Sequence, residues 1–255
     1  MLKISTYNIN GVRAAHKKGF TEWIKQSNPD IVCIQELRAH ETQLPDEIKE
    51  LDYYQYIVSA EKKGYSGVAI FSKTEAQNIT VGMGIDWIDA EGRVITAEYD
   101  TFRIVSAYFP SGTTGNTRQD MKMKFLDDFM KWSKQFVGDS KPTIICGDFN
   151  ICHLEIDIHN PEKQHKTSGF LPEERQWITD FLDIGFEDVF RKIHPSKKDV
   201  YSWWSYRAGS KGKNKGWRID YQMATPNLAQ VANEAFIEKD WDISDHAPVS
   251  VTYEF

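Results

Sequence analysis

Apolar residues along this chain come in short runs, and the runs alternate with stretches of helical spacing. Period-two alternation and short apolar runs predict strands over 2–8, 31–36, 54–59, 67–72, 77–81, 93–99, 102–109, 142–147, 219–224 and 248–253. Spacings of three and four predict helices over 20–27, 45–51, 118–137, 172–183 and 226–231. In 118–137, Met121, Phe125, Phe129, Trp132 and Phe136 form one apolar stripe. The helix at 172–183 opens on Pro172-Glu173-Glu174, a favourable first turn, and closes at Gly185. Helices set between strands, with several strands adjacent in sequence, predict the α/β class, with two packed mixed sheets flanked by helices. No repeat or shift of composition divides the chain, so residues 1–255 read as one domain. Three loops are long for a compact domain: 110–117, 152–171 and the Gly- and Lys-rich 205–216.

Composition narrows the function classes. With 255 residues, 40% hydrophobic and 27% charged, the chain can bury a large core, and it is neither disordered nor fibrous. No apolar run approaches the roughly 18–20 residues of a membrane span, so no membrane is expected. The start lacks the pattern of a signal peptide and reads as a first strand. Three cysteines, with Cys33 and Cys146 in apolar runs, read as buried thiols of a cytoplasmic protein. Net charge is −6, yet residues 191–218 carry +8, which leaves −14 on the remainder. A basic segment on an acidic body suits a polyanionic partner beside a site that holds carboxylates.

Predicted strand ends carry the chemistry. Asn8 and Asn10 end the first strand, Glu36 follows an apolar run, and Asp148 and Asn150 end another. Asp245 and His246 precede the last strand, and Asp220 alternates with apolar neighbours in its own. Residues two apart on a strand share a face, so each segment presents its polar atoms together. Oxygen ligands without a cysteine cluster favour magnesium, with manganese as a substitute, over zinc. No phosphate-binding Gly-rich loop, dinucleotide fingerprint or Gly-x-Ser-x-Gly elbow occurs. Alone, each motif is an ordinary turn former or cap; their conjunction at strand ends is what carries weight.

The order of these motifs resembles the exonuclease III family of AP endonucleases, within the endonuclease/exonuclease/phosphatase superfamily. The resemblance runs over nearly the whole chain. It is carried by Asp30 to Glu36, Gly64 to Ala69, Ala107 to Pro110, Cys146 to His153, Ser168 to Arg175 and Trp217 to Tyr221. It implies a four-layer α/β sandwich and metal-assisted hydrolysis of DNA phosphodiesters by in-line attack of water. By resemblance, Glu36 is the principal magnesium ligand, with Asn8, Asn10, Asp148, Asn150, Asp245 and His246 around metal and phosphate. Asp148, helped by Asn150, deprotonates the attacking water. Asp220 holds His246, and Tyr108 donates to the phosphate or the leaving 3′ oxygen.

The expected partner is double-stranded DNA with abasic sites or 3′ ends, bound by a monomer. Trp203 and Trp217 are the expected walls around an extruded sugar, with Trp204 in the core. Arg207, Lys211, Lys213 and Lys215 are the expected DNA contacts. Departures from the family pattern fall at Tyr7, Asn10, Ser111 and the segment His165-Lys166-Thr167. The amide at Asn10 weakens the charge on a second metal subsite, while the departures at Ser111 and His165-Lys166-Thr167 fall in loops that touch DNA in the family and bear on substrate preference. A 3′-end exonuclease or phosphatase with little abasic-site incision is the first alternative. An inositol-phosphate or lipid phosphodiesterase and a non-catalytic DNA-binding module come after it.

Overall fold

A computed structural model of the chain describes residues 1–254. Its strands, in chain order, are β1 (Leu2–Asn8), β2 (Ile31–Gln35), β3 (Tyr54–Val58), β4 (Val68–Ser72), β5 (Asn78–Val81) and β6 (Val94–Glu98). They continue with β7 (Arg103–Tyr108), β8 (Thr143–Asp148), β9 (Glu187–Asp188), β10 (Asp220–Ala224), β11 (Ala232–Ile237) and β12 (Val249–Tyr253). One sheet has the order β11-β12-β1-β2-β4-β3 and the other β5-β6-β7-β8-β10-β9. Each is mixed: β1 runs parallel to β2 and β7 parallel to β8, while their other neighbours are antiparallel.

Alternation along the central strands builds the layers. In β2, Ile31 and Cys33 join β8 residues Ile144 and Cys146 in the core between the sheets. Val32 and Ile34 point the other way, against Phe20, Trp23 and Ile24 of the helix Phe20–Ser27. Ile145 of β8 meets Phe125 and Phe129 of the helix Asn116–Ser133, and Trp177 and Phe181 of the helix Pro172–Asp183. Strands covered on both faces are apolar throughout, which is why they read as continuous runs. The result is the expected four-layer sandwich.

Buried polar groups key the two sheets to each other. Gln35 donates to Ser106 Oγ at 3.1 Å, and Ser106 donates to Ile34 O at 3.1 Å. Gln222 donates to Ile4 O at 2.9 Å and accepts from Tyr253 at 2.9 Å. Each unpaired would cost about 1–3 kcal/mol, so together they disfavour a slipped stacking of the sheets. Gly147 lets β7 and β8 close up: a Cβ there would lie 1.9 Å from Ala107 O.

Sequence expectation and structure differ in the short elements. The stripe of 118–137 forms one helix only to Ser133, and its last turn tightens to 3-10 over Lys134–Phe136. Strand β11 follows a short helix, Pro226–Ala229, where the pattern reads helix to 231 and then nothing. It is an edge strand, and its exposed Asn233 and Glu234 give it no apolar period. The helices Val12–Lys17, Asp86–Asp89 and Val189–Ile193 and the two-residue β9 are too short to show periodicity. All three cysteines are free and buried, Cys152 included. Among the described residues, no helix is long and apolar enough to cross a membrane.

Candidate active site

Strand register brings the polar residues together. In β8, Asp148 sits opposite Tyr108 of β7 on one side and Asp220 of β10 on the other. Asn8, at the end of β1, crosses to the second sheet: its Nδ2 donates to Glu36 Oε1 at 2.7 Å and to Asp148 Oδ2 at 2.8 Å. One amide thus orients two carboxylates from different sheets. Its own Oδ1 accepts from Asn10 N at 3.0 Å. The chain turns sharply after each strand, with φ of 49° at Asn10, 54° at Glu36 and 53° at Asn150. For Asn this conformation is ordinary; for Glu36 it costs roughly 1–3 kcal/mol. The bond to Asn8 and the ion pair with Arg38 hold Glu36 there. Asn150 closes the turn, donating through its backbone to Asp148 Oδ1 at 2.8 Å and through Nδ2 to Phe109 O at 2.9 Å.

On the other side, Asp220 holds His246. The carboxylate lies 2.9 and 3.1 Å from Nδ1 through its two oxygens, and it accepts from Ser202 Oγ at 2.6 Å. The opposite ring nitrogen, Nε2, is 3.8 Å from Asp148 Oδ2. Burial works against a charged ring, but Asp220 and then Asp148 outweigh it and push the His246 pKa up to about 10. Burial, then Asp220 and Glu36, push the Asp148 carboxyl up to about 7, against the pull of His246 and Asn8. Between those values the ring is an imidazolium and Asp148 a carboxylate. Burial, followed by Glu36, holds the Tyr108 phenol well above its ordinary range, so it is a hydrogen-bond donor.

Glu36, Asp148 and His246 each offer a ligand atom, and these atoms lie within 4.8 Å of one another. All three residues are buried, and hard carboxylate oxygens dominate the set, so the site fits a divalent cation. Asn10 and Asp245 stand outside that trio and bind each other, Nδ2 to Oδ1 at 2.9 Å. Asp245 spends its second oxygen on Trp203 Nε1 at 3.1 Å. Asn8 turns its amide donors toward the carboxylates, so it orients ligands instead of offering its oxygen.

A cavity of about 250 Å³ opens over this group, lined by Glu36, Tyr108, Asp148, Asn150, Asp245 and His246 below and by Trp203 and Trp217 at the side. The two half-buried indoles meet edge to face at 5.9 Å. Trp204 is a core residue at 2% exposure. Opposite Trp217 the chain must be glycine: a Cβ on Gly169, at φ +96°, would lie 3.0 Å from both the indole and Asn150 O.

The basic segment is weaker than its sequence. Arg191 and Arg218 are buried, sharing Asp157, and Arg218 also binds Asp188; Lys192 pairs with Glu187. Lys211 is spent on Trp241 O at 2.7 Å and Asp242 at 3.1 Å, and Lys213 donates to Ala208 O at 3.0 Å. Arg207 and Lys215 are exposed, and neither they nor Lys211 and Lys213 line the cavity. A different basic feature escaped the sequence reading. Arg13, Lys17 and Arg38 line a groove of about 470 Å³ with Gly11 and Gly64, one residue beyond Asn10 and two beyond Glu36. Its signal was the i, i+4 pair Arg13/Lys17 directly after the Asn10-Gly11 turn.

Comparison with known proteins agrees with this fold. The exodeoxyribonuclease of Bacillus subtilis (strain 168) is 39% identical over 251 residues, covering 98% of each chain. An AP endonuclease structure from Archaeoglobus fulgidus superposes with a TM-score of 0.91 at 29% identity, over the whole of both chains. A 3′ phosphatase from Neisseria, bound to a product DNA hairpin, does so with a TM-score of 0.93 at 25% identity, again over both whole chains. Residues 5–246 match the Endonuclease/Exonuclease/phosphatase family, a span that runs from inside β1 to His246 itself, and the chain belongs to that family.

Proposed function

We propose that this protein is a DNA-repair phosphodiesterase that hydrolyses DNA at abasic sites and at 3′ ends, acting as a single domain with magnesium, or manganese in its place. The observation that carries the reading is the carboxylate–imidazole pair Asp220–His246 aimed at Asp148 under a cavity with aromatic walls. Glu36 and Asp148 would hold the cation beside the charged His246 ring, and when bound it would supply positive charge to the phosphate oxygens and acidify the attacking water.

The chain's own residues do the rest. Asp148, oriented by Asn8 and Asn150, accepts the proton of the water as its oxygen attacks phosphorus. His246, kept charged by Asp220, binds a non-bridging oxygen as negative charge builds. Tyr108 donates to the phosphate or to the 3′ oxygen that leaves. An extruded, base-less sugar would pack against the wall that Trp203 and Trp217 form together on the cavity, and extrusion costs least where the base is already missing. The groove of Arg13, Lys17 and Arg38 suits the phosphates of the flanking duplex.

A second reading, a 3′-end exonuclease or phosphatase with little incision at abasic sites, draws on the cavity lining. Ser111, Thr113, Thr167 and Ser168 are part of its lining, and among the described residues no lysine or arginine lines it. The test is product analysis with magnesium on three substrates: a duplex with one abasic-site analogue, a recessed 3′-phosphate primer and an inositol phosphate. Incision of the first supports the main reading, and loss of only the 3′ phosphate supports the second. Turnover of the inositol phosphate alone would overturn both.

A further inference from the structure

Behind Tyr108 lies a buried cation that the chemistry above does not use. Arg93 immediately precedes β6 and is 1% exposed. Its guanidinium carbon lies 4.8 Å from the centroid of the Tyr108 ring. Its Nη1 donates to Tyr108 O at 2.9 Å, while Tyr108 N donates to Arg93 O at 2.8 Å. The last residue of β7 is therefore clamped at ring, carbonyl and amide by one partner.

The clamp is itself held. Arg93 Nη2 donates to Tyr65 Oη at 2.9 Å and Nε to Glu91 at 2.5 Å. Tyr65 Oη accepts a further bond from Arg118 at 3.0 Å and donates to Glu91 at 3.4 Å. Sheet pairing between β6 and β7 would exist without this charge, and an apolar side chain of similar volume is often no less stable than a buried ion pair. Stability alone thus does not account for a guanidinium in this place.

We propose that Arg93 is a positioning residue that acts through Tyr108: it fixes the aim of the phenol at the phosphate, and its charge on the ring strengthens the hydroxyl as a donor. A cation over an aromatic face withdraws electron density from it, and a donor aimed before the reaction costs no reorganisation during it. The inference rests on the reading of Tyr108 as the donor to the phosphate or leaving oxygen.

The test is a double-mutant cycle of Arg93→Met and Tyr108→Phe, with kcat, KM for an abasic-site duplex and Tm measured for each protein. Arg93→Met should lower kcat about 10-fold with KM unchanged. In the Tyr108→Phe background it should lower kcat no more than about 2-fold, while its effect on Tm stays the same. Arg93→Lys, which keeps charge and loses the planar fork, should restore part of the rate. If Arg93→Met does not fold, Arg93→Lys runs the same cycle. Equal losses of kcat in both backgrounds would overturn the inference and leave Tyr108 as donor. Wild-type kcat in Tyr108→Phe alone would overturn the assignment of Tyr108, and the inference with it.

Discussion

Asp220 grips His246 through both carboxylate oxygens, and the free face of the ring looks at Asp148 Oδ2 from 3.8 Å. The grip sets the ring's charge as well as its aim. Asp220→Asn keeps the shape and removes the charge. It should lower kcat by about 100- to 10,000-fold, with KM for DNA little changed. The alkaline limb of the kcat–pH profile should move toward neutrality, since Asp220 is the chief group raising the ring pKa to about 10. A parallel loss of DNA affinity would mark the pair as structural.

Protons and the divalent cation compete for Asp148. Because the carboxyl is raised to about 7 in the metal-free protein, it is protonated below that pH and ionised above it. Magnesium affinity should therefore fall about tenfold per unit as pH drops below 7 and level off above it. Calorimetric titrations between pH 5 and 8 read this directly, and an affinity flat across that range would remove Asp148 from the ligand set. EDTA should abolish hydrolysis, and Glu36→Gln should restore it only at raised magnesium.

Trp217 tests the aromatic wall. An internal abasic site has to be extruded and held, whereas a 3′ end frays. Stacking on an aromatic is worth about 1–3 kcal/mol, so Trp217→Ala should lower kcat/KM for incision by roughly 5- to 150-fold. Removal of 3′ phosphates should suffer less. Equal losses on both substrates would mean that the ring serves packing alone.

The groove makes a distinct prediction. Arg13→Ala with Lys17→Ala should weaken every duplex substrate alike and reduce the slope of log affinity against log salt by about 1–2. Neutralising Lys211 and Lys213, already bonded within the protein, should change that slope less. Binding titrations at several salt concentrations separate the two sets.

Asp157 anchors the segment that carries Trp217, its carbonyl accepting from Arg218 N at 2.8 Å. It accepts from Arg218 at 2.7 and 3.0 Å and from Arg191 at 2.9 and 2.6 Å. Burial opposes its charge, but Arg218 and then Arg191 prevail and hold its pKa below the ordinary carboxylate value. Its stabilisation is complete above that ordinary value and is lost as pH falls through the lower, folded one. Asp157→Asn should cost about 3–5 kcal/mol at neutral pH in denaturant titrations. The difference from the native protein should shrink below roughly pH 4. A gap that persists unchanged at pH 3 would contradict this assignment.

Much of the protein is legible in one dimension because its central strands are covered on both faces and its long helices on one. Runs such as Ile31–Ile34 and Thr143–Cys146 admit no other burial, and the stripe Phe125, Phe129, Phe136 needs a sheet to cover it. The polar residues at strand ends were equally visible, since Asn8, Glu36, Asp148, Asp220 and His246 interrupt apolar patterns. What the chain could not state is which groups face which. Lys122 and Glu174 sit in a helical pattern as charges, yet they are fully buried and bonded at 2.6 Å, and Lys122 supports Asn150 O at 2.8 Å. Nor did composition separate cations that meet solvent from those that do not. Arg191 and Arg218 add to the formal charge of the basic segment, but folding assigns them to Asp157, which is 34 and 61 residues away in the chain. Burial and register fix such pairings only when the two sheets close on each other, because a charge finds its lowest free energy through partners that distance along the chain does not encode.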